Sequence, residues 1–190
     1  MKTCEILSDL INDAAQEEID FTNNKETGFV ELLEPDQPES SVTIKGLPAG
    51  SFAIKLDAFP APQQFFKGSN GECKRADYAI FSTIKNKKYI FIIELKKSNT
   101  NKEHHIVQQL RGGYCCTKYL QEIAKQFWQE SNFLDSHEYR YIAFLDVNTR
   151  LSKRPTKLKI ETLHNKPECP LKIKYVKEVH ISTILGVQNG

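Results

Sequence analysis

Apolar and polar residues follow one another along the chain in patterns that predict two helices and a series of short strands. Apolar residues at helical spacing over 3–19, with acidic residues on the other face, predict an amphipathic first helix. A second stripe predicts a long helix over 101–128, in which Gly112 and Gly113 allow either close approach of another backbone or a break. Strand-like runs occupy the ranges 29–33, 42–45, 52–59, 76–83, 89–96 and 139–147, with weaker runs at 158–163, 171–176 and 179–184.

Stretches rich in proline, glycine and polar residues predict loops at 34–40 and 60–74. A loop as long as the second is often functional in a compact domain. The order of helix, strands, long helix and strand favours an α/β fold with a mixed central sheet, and the weaker runs are expected at the sheet margin. The length of 190 residues suits one domain spanning 1–190.

The stretch Tyr89–Lys96 is apolar on both faces and then becomes charged. Because side chains alternate along a strand, the odd-numbered residues of 91–95 share one face, and Ile92, Glu94 and Lys96 share the other. An apolar run on both faces is typical of a covered central strand. Charged groups beside a core are costly unless they are paired or bind an ion, so Glu94 and Lys96 are candidate site residues.

Asp77 begins the preceding strand, and the register of the hairpin decides whether its carboxylate joins that pair. A two-residue or four-residue loop gives paired residue numbers that sum to 173, with Asp77 facing Lys96 and Ala79 facing Glu94. A three-residue loop gives 172 and turns Asp77 to the other face of the sheet. The site therefore requires a hairpin loop with an even number of residues.

With an even loop, two carboxylates and one ammonium group lie together at one end of a buried hairpin. Two nearby carboxylates raise each other's pKa unless a cation lies between them. A hard divalent ion, Mg²⁺ (or Mn²⁺ in its place), suits Asp77, Glu94 and the backbone carbonyl of Leu95 as oxygen ligands. Lys96 would orient or deprotonate a water, or neutralise charge on phosphorus, which suits metal-assisted phosphodiester hydrolysis.

Asp77, sixteen further residues and then Glu94-Leu95-Lys96 resemble the signature of the PD-(D/E)xK nuclease superfamily, with Ala76 in place of the proline. The resemblance implies a restriction-endonuclease-like αβββαβ core over about residues 1–147, with a mixed central sheet flanked by helices. It also implies metal-dependent cleavage of DNA, less often RNA, in defence or restriction, or in repair. A homodimer would pair two such sites to cut both strands.

The resemblance implies two further site residues. Many members carry a glutamate on the first helix that completes the metal site; Glu17 and Glu18 are the candidates, and Glu18 is taken as the ligand. Some members have a glutamine on the helix after the third strand, which assigns a catalytic role to Gln109. His104 and His105 are interpreted as solvated residues at a helix start, since a hard oxygen site does not need them.

Charge is unevenly distributed although the net charge is only +2. Residues 1–40 carry a net charge of −9 and residues 41–190 carry +11, which suits a polyanionic partner or, equally, a solvated surface with an acidic first helix. The segment 150–159 has five basic residues and no acidic one, as in a phosphate-contacting loop or a solvated turn. The predicted nucleic-acid contacts are Lys74, Arg75, Lys97, Arg150, Lys153, Arg154 and Lys157.

Phe65 and Phe66 lie close in sequence to Lys74 and Arg75, and aromatic and basic residues together can grip a nucleic-acid strand. The other interpretation is that the two phenylalanines pin their loop to the core. The alternative function for the whole chain is a non-catalytic nucleic-acid-binding or protein-interaction module on the same fold, with structural carboxylates. Placement of Asp77 and Glu94 on opposite faces would favour that alternative.

Composition excludes several classes of protein. Hydrophobic residues make up 39% and charged residues 26% of the chain, which is typical of a globular protein in water. No apolar run approaches the roughly 20 residues of a membrane helix, so no membrane partner is expected. Five cysteines without a CxxC pair argue against a disulfide framework and a zinc knuckle, and predict a reducing, cytoplasmic location.

Overall fold

A six-stranded mixed sheet forms the centre of the computed structural model, which describes residues 2–22, 26–34, 37–96, 103–147 and 163–186. The mixed α/β fold predicted from the sequence is confirmed. The helices are α1 (Lys2–Leu10), α2 (Glu103–Phe127) and α3 (Ile181–Ile184), with short 3-10 helices at Asp13–Ala15 and Leu56–Ala58. The strands are β1 (Gln16–Glu17), β2 (Thr27–Glu34), β3 (Gln37–Pro48), β4 (Phe52–Lys55), β5 (Tyr78–Ile84), β6 (Lys87–Lys96), β7 (Glu138–Leu145), β8 (Leu171–Lys174) and β9 (Glu178–His180).

The strand order in this central sheet is β1-β4-β5-β6-β7-β8. The pairs β1–β4, β4–β5 and β5–β6 are antiparallel, whereas β7 pairs parallel with β6 and β8 pairs parallel with β7. The long helix α2 makes the crossover that a parallel pair requires. Strand β6 therefore lies in the middle of the sheet, as its apolar sequence predicts.

Both faces of β6 are covered, and the predicted alternation is confirmed. Phe91, Ile93 and Leu95 pack into a core shared with a second, three-stranded sheet of order β2-β3-β9 and with α3. Ile90 and Ile92 pack on the other face, in a core shared with α1 and α2. Glu94 follows on this second face, so a carboxylate enters a layer of apolar side chains beneath α2.

The hairpin of β5 and β6 has a two-residue turn at Lys85 and Asn86. Both residues have positive φ angles, 49° and 62°, which is the conformation of the type I′ turn that matches the twist of paired strands. Tyr78 pairs with Ile93 and Ile84 with Lys87, so paired numbers sum to 171. The predicted odd sum is confirmed, but the predicted value of 173 is wrong, because β6 begins earlier than its apolar run.

The predicted helix over 3–19 is wrong beyond Leu10. The side chain of Asn12 accepts a hydrogen bond from the Ala14 backbone N–H (3.0 Å), which begins the 3-10 helix. The Gln16 side chain then donates to the Ile11 carbonyl (2.7 Å), and β1 joins the sheet edge beside β4. Asparagine competes with helical hydrogen bonding in this way because its side chain can satisfy nearby backbone groups.

Other predicted boundaries change as well. The loop predicted at 34–40 is wrong from Gln37 onwards, because β3 pairs there with β2. The strand predicted at 52–59 ends at Lys55, where the 3-10 helix Leu56–Ala58 begins. The strand predicted at 179–184 gives way to α3 after His180, whose ring accepts a hydrogen bond from the Ser182 N–H. Segment 148–162, with the predicted basic loop, lies outside the described residues.

Helix α2 is continuous through Gly112 and Gly113, so close approach of another backbone, rather than a break, is the confirmed prediction. A Cβ atom on Gly112 would overlap the carbonyl oxygen of Lys74. A Cβ on Gly113 would lie 2.6 Å from a methyl carbon of Ile92 and 2.8 Å from Cβ of Ala76. The two glycines thus let the chain that leads into Asp77 lie directly against the helix. No helix among the described residues is long and apolar enough to cross a membrane.

His137, in the connection between α2 and β7, should make the protein less stable in acid. Burial, together with the charge of Lys88, lowers the pKa of His137 from 6.5 to about 4. Between those values the unfolded chain binds the proton and the folded one does not, so stability is fully present above pH 6.5 and lost as the pH falls to 4. Urea unfolding should show that wild type loses on the order of 1 kcal/mol more than His137→Asn between pH 7 and pH 4, because partial exposure of the imidazole reduces the effect of its pKa shift. Parallel pH profiles for the two proteins would contradict this.

Candidate functional site

A cavity of about 540 Å³ opens where β5 begins and β6 ends. Strand β6 and the segment before β5 contribute residues to its wall, α2 contributes two side chains, and β2 and the 3-10 helix after β4 contribute one acid each. The residues around the cavity include Glu34, Asp57, Gln63, Lys74, Arg75, Asp77, Leu95, Lys96, His105 and Gln109. The predicted Gln109 therefore lies in the same cavity as Asp77 and Lys96.

Asp77 closes the hairpin where the backbone ladder ends. Its N–H donates to the Ile93 carbonyl (3.1 Å), and its Oδ2 accepts a hydrogen bond from the Leu95 N–H (2.7 Å). The paired register ends at Tyr78 and Ile93, so Asp77 precedes β5 and does not lie opposite Lys96 as the prediction placed it. The side chain is buried, so its carboxylate is held by the strands and borders the cavity.

Glu94 and Lys96 form an ion pair at the end of β6. The ammonium group of Lys96 contacts Oε1 of Glu94, whose side chain is completely buried, while the Lys96 side chain is 15% exposed. No described residue gives Oε2 of Glu94 a hydrogen-bond partner. Lys96 lines the cavity and Glu94 lies behind it, so the lysine is the accessible member of the pair.

Burial dominates the electrostatics of the three groups. It raises the pKa of Asp77 to about 6, an effect reduced by the positive charge of Lys96 and the Leu95 N–H. Burial and then the charge of Asp77 raise the pKa of Glu94 well above its usual range. Burial alone would lower the pKa of Lys96, but the Glu94 and Asp77 carboxylates outweigh it and raise the pKa. Two buried acids with raised pKa values beside one cation are typical of sites that bind a further positive charge.

The structure adds two acids that the sequence did not single out. Glu34, at the end of β2, lines the cavity, and its charge raises the pKa of both Asp77 and Glu94. Asp57 also lines the cavity; burial raises its pKa, while Lys55 and Arg75 oppose that rise. Glu34 comes from the second sheet and no local pattern marks it, whereas Asp57 lies in the predicted strand 52–59 and was not among the predicted site residues.

His105 also lines the cavity and is partly buried, so its interpretation as a solvated residue is wrong. His104, beside it, is exposed and contacts the His105 ring edge to face, with ring centres 4.1 Å apart. Helix α2 begins at Glu103, so the first turn carries both imidazoles and only the second reaches the site. The helical pattern of buried and exposed positions could have distinguished exposed His104 from partly buried His105.

Glu18 does not reach the cavity. The first helix ends at Leu10, and Glu18 lies exposed after the edge strand β1, so its predicted position on a helix beside the metal is wrong. Glu17 is partly buried, and burial raises its pKa, with the charges of Lys55 and Asp57 acting in opposite directions. The charge of Asp57 thus acts on Glu17, but neither Glu17 nor Glu18 lines the cavity.

Lys74 and Arg75 both line the cavity, and both already bind protein groups. Lys74 Nζ donates to Oε1 of Gln108 on α2 (2.8 Å), and Arg75 Nη2 donates to the Asp57 carbonyl (3.2 Å). These contacts fix two positive charges at the rim beside Asp77. The other predicted nucleic-acid contacts, Lys97, Arg150, Lys153, Arg154 and Lys157, lie outside the described residues.

The carboxylate oxygens of the site suit a hard divalent cation that takes few ligands from the protein. Among the described residues, no group of three or more His, Cys, Asp and Glu side chains lies close enough together to hold a metal ion. Mg²⁺ commonly binds through one or two carboxylates and keeps several waters, so Asp77 and Glu94 are enough side chains. The unpartnered Oε2 of Glu94 fits this interpretation, provided that the Lys96 ion pair opens.

Comparison of this chain with protein-family models, with curated proteins and with solved structures finds no match.

Proposed function

We propose that this protein is a Mg²⁺-dependent nuclease of the PD-(D/E)xK type that hydrolyses phosphodiester bonds in DNA. The observation that carries the proposal is the meeting at one cavity of Asp77, held by the Leu95 N–H, with the Glu94–Lys96 ion pair at the end of β6, close enough for the Asp77 charge to raise the pKa of Glu94. The chain order also supports it. Helix α1, the antiparallel strands β4, β5 and β6, helix α2 and the parallel strand β7 follow the αβββαβ order of the restriction-endonuclease-like core. The β2–β3 hairpin and the edge strand β1 would be insertions after the first helix.

The carboxylates of Asp77 and Glu94 and the backbone carbonyl of Leu95 would hold the ion. A bound Mg²⁺ polarises a phosphoryl oxygen and lowers the pKa of a coordinated water, which is the chemistry that phosphodiester hydrolysis requires. The Leu95 N–H holds the Asp77 carboxylate at 2.7 Å, so one ligand is oriented before any ion arrives. Such support by hydrogen bonds is typical of residues that coordinate metals.

Lys96 and Gln109 face the space in which the reacting phosphate would lie. The ammonium group of Lys96 can donate to a phosphate oxygen or orient the attacking water, and it would leave Glu94 to do so. The amide of Gln109 can donate to and accept from the same water. Lys74 and Arg75, fixed at the rim, would bind neighbouring phosphates without reading sequence. A role in defence, restriction or repair and a paired, dimeric site stay predictions.

Plasmid cleavage tests the proposal. Wild type should nick or linearise plasmid DNA with Mg²⁺ or Mn²⁺ and not in EDTA, and RNA should be compared in the same buffers. Lys96→Ala should slow cleavage by about 100-fold or more, the usual effect of a positioned acid–base or electrostatic group. Lys87→Ala is the matched control, because Lys87 is exposed at the opposite end of the same strand.

Equal cleavage in EDTA, or equal rates for wild type and Lys96→Ala, would overturn the nuclease proposal. Binding of nucleic acid without cleavage in any buffer would also overturn it and would favour the non-catalytic module.

A further inference from the structure

A second cavity, of about 580 Å³, lies beside the cavity that contains Asp77 and has mainly apolar walls. Phe59, Phe65, Phe66 and Tyr119 line it. These rings are exposed to an unusual degree for aromatic side chains, at 39%, 84%, 46% and 55% in that order. Exposed apolar groups clustered around a concave surface are typical of ligand sites.

The loop that carries the two phenylalanines is held by polar contacts. The Glu72 carboxylate accepts hydrogen bonds from the N–H groups of Gly68 (2.9 Å) and Asn70 (2.8 Å). The Gln108 side chain on α2 donates to the Asn70 carbonyl (3.0 Å). Phe65, at 84% exposure, does not pin this loop to the core, so the second interpretation of the aromatic pair is wrong for this residue. The rings of Phe65 and Phe66 are therefore held by an ordered loop.

The two cavities share Lys74 and Arg75 as a common wall. The acidic side leads to Asp77, and the other side leads to the aromatic rings. A nucleotide has the matching asymmetry, because its phosphate is anionic and its base is a flat, largely apolar ring. Arg75 adds a guanidinium charge to this wall, and one of its terminal nitrogens is held by the Asp57 carbonyl.

We propose that the aromatic cavity binds an unpaired nucleobase of the strand whose phosphate lies next to Asp77. This inference rests on the proposed nuclease function, because it takes the two cavities as one path for the substrate. Bases in a duplex are stacked and paired, so a base can enter this cavity only from single-stranded or locally opened nucleic acid. Every nucleobase can stack on an aromatic ring, so this contact would give little sequence preference.

Fluorescence anisotropy in EDTA, where no cleavage is needed, tests the inference. The probes are a short labelled single strand, the same strand with central abasic sites, and the corresponding duplex. Wild type should bind the intact single strand about tenfold more tightly than the abasic strand, as expected for one or two stacked bases. Phe66→Ala and Tyr119→Ala should remove most of this difference and leave binding of the abasic strand unchanged.

Phe127→Ala is the control variant, because Phe127 is 74% exposed at the end of α2 and does not line the cavity. Equal binding of intact and abasic strands by wild type, tighter binding of the duplex, or no binding of any probe would overturn the inference. Loss of base-dependent binding in Phe127→Ala would also overturn it. The nuclease proposal is judged separately, because a chain that distinguishes intact from abasic strands without cleaving them keeps the base site and refutes the catalysis.

Discussion

Replacing Gly112 by alanine should lower the free energy of unfolding by about 2 kcal/mol, within the usual range for an overpacked interior. The expected sign is the reverse of the helix-propensity effect, since Gly→Ala inside a helix normally stabilises by about 1 kcal/mol. The reason is steric. The new Cβ would overlap the Lys74 carbonyl oxygen, which is backbone and cannot rotate away as a flexible side chain could. Urea unfolding followed by circular dichroism measures the change.

Gln126→Ala is the control for this prediction, because Gln126 is an exposed residue of the same helix, and a change of no more than about 0.5 kcal/mol is expected. If Gly112→Ala were as stable as wild type, the close packing of the helix against the chain before Asp77 would be refuted. A folded Gly112→Ala protein has a second expected defect. Displacement of Lys74 and Arg75 would shift the segment before β5 that positions Asp77. The rate of DNA cleavage should therefore fall although the helix stays intact.

Replacing Glu94 by glutamine should separate stability from metal binding. In EDTA the variant should be at least as stable as wild type. Glutamine keeps the shape of the side chain and removes a buried carboxyl group whose pKa is raised by burial. Lys96 keeps a negative neighbour in Asp77, so it is not left without a counter-charge. With Mg²⁺, wild type should gain thermal stability, because a ligand that binds only the folded state stabilises it, and Glu94→Gln should gain none.

Cleavage by Glu94→Gln should fall by about a thousandfold or more, since loss of one electrostatic contact to a transition state alone costs about 10²–10³. The measurement pairs thermal melts in EDTA and in Mg²⁺ with the plasmid assay. Glu31→Gln serves as the control, because Glu31 is an exposed residue of strand β2. An equal Mg²⁺-induced shift in wild type and Glu94→Gln would show that the ion binds elsewhere.

The central hairpin was predictable because its signals are local. A run that is apolar on both faces identified the covered strand, and the period of two fixed which side chains accompany Glu94. The exact pairing was not predictable, because the turn at Lys85 and Asn86 lacks the Asn-Gly or Asp-Gly sequence that marks a type I′ turn. Lys87 and Lys88 extend β6 toward the turn, where charged residues hide the strand from an apolar pattern.

The rest of the site depends on contacts between distant segments. Glu34 reaches the cavity only because the β2–β3 hairpin forms a second sheet over one face of β6, and a sequence pattern does not specify how sheets stack. Asp57 reaches the cavity because β4 ends at Lys55 and the chain continues as the 3-10 helix Leu56–Ala58, which carries it. The failure of Glu18 has a different origin, since Asn12 ended the helix on which its assignment relied.

The second sheet also has a consequence for the order of synthesis. Strand β9, close to the end of the described chain, pairs in parallel with β3, and its Val179 completes the core that covers Leu95. A growing chain emerges from its N-terminus, so the hairpin that holds Asp77 and Glu94 is made long before that cover exists. The face of β6 that carries Leu95 therefore stays partly uncovered until β9 docks. A nascent chain should be open to proteases at this hairpin until β9 has been made.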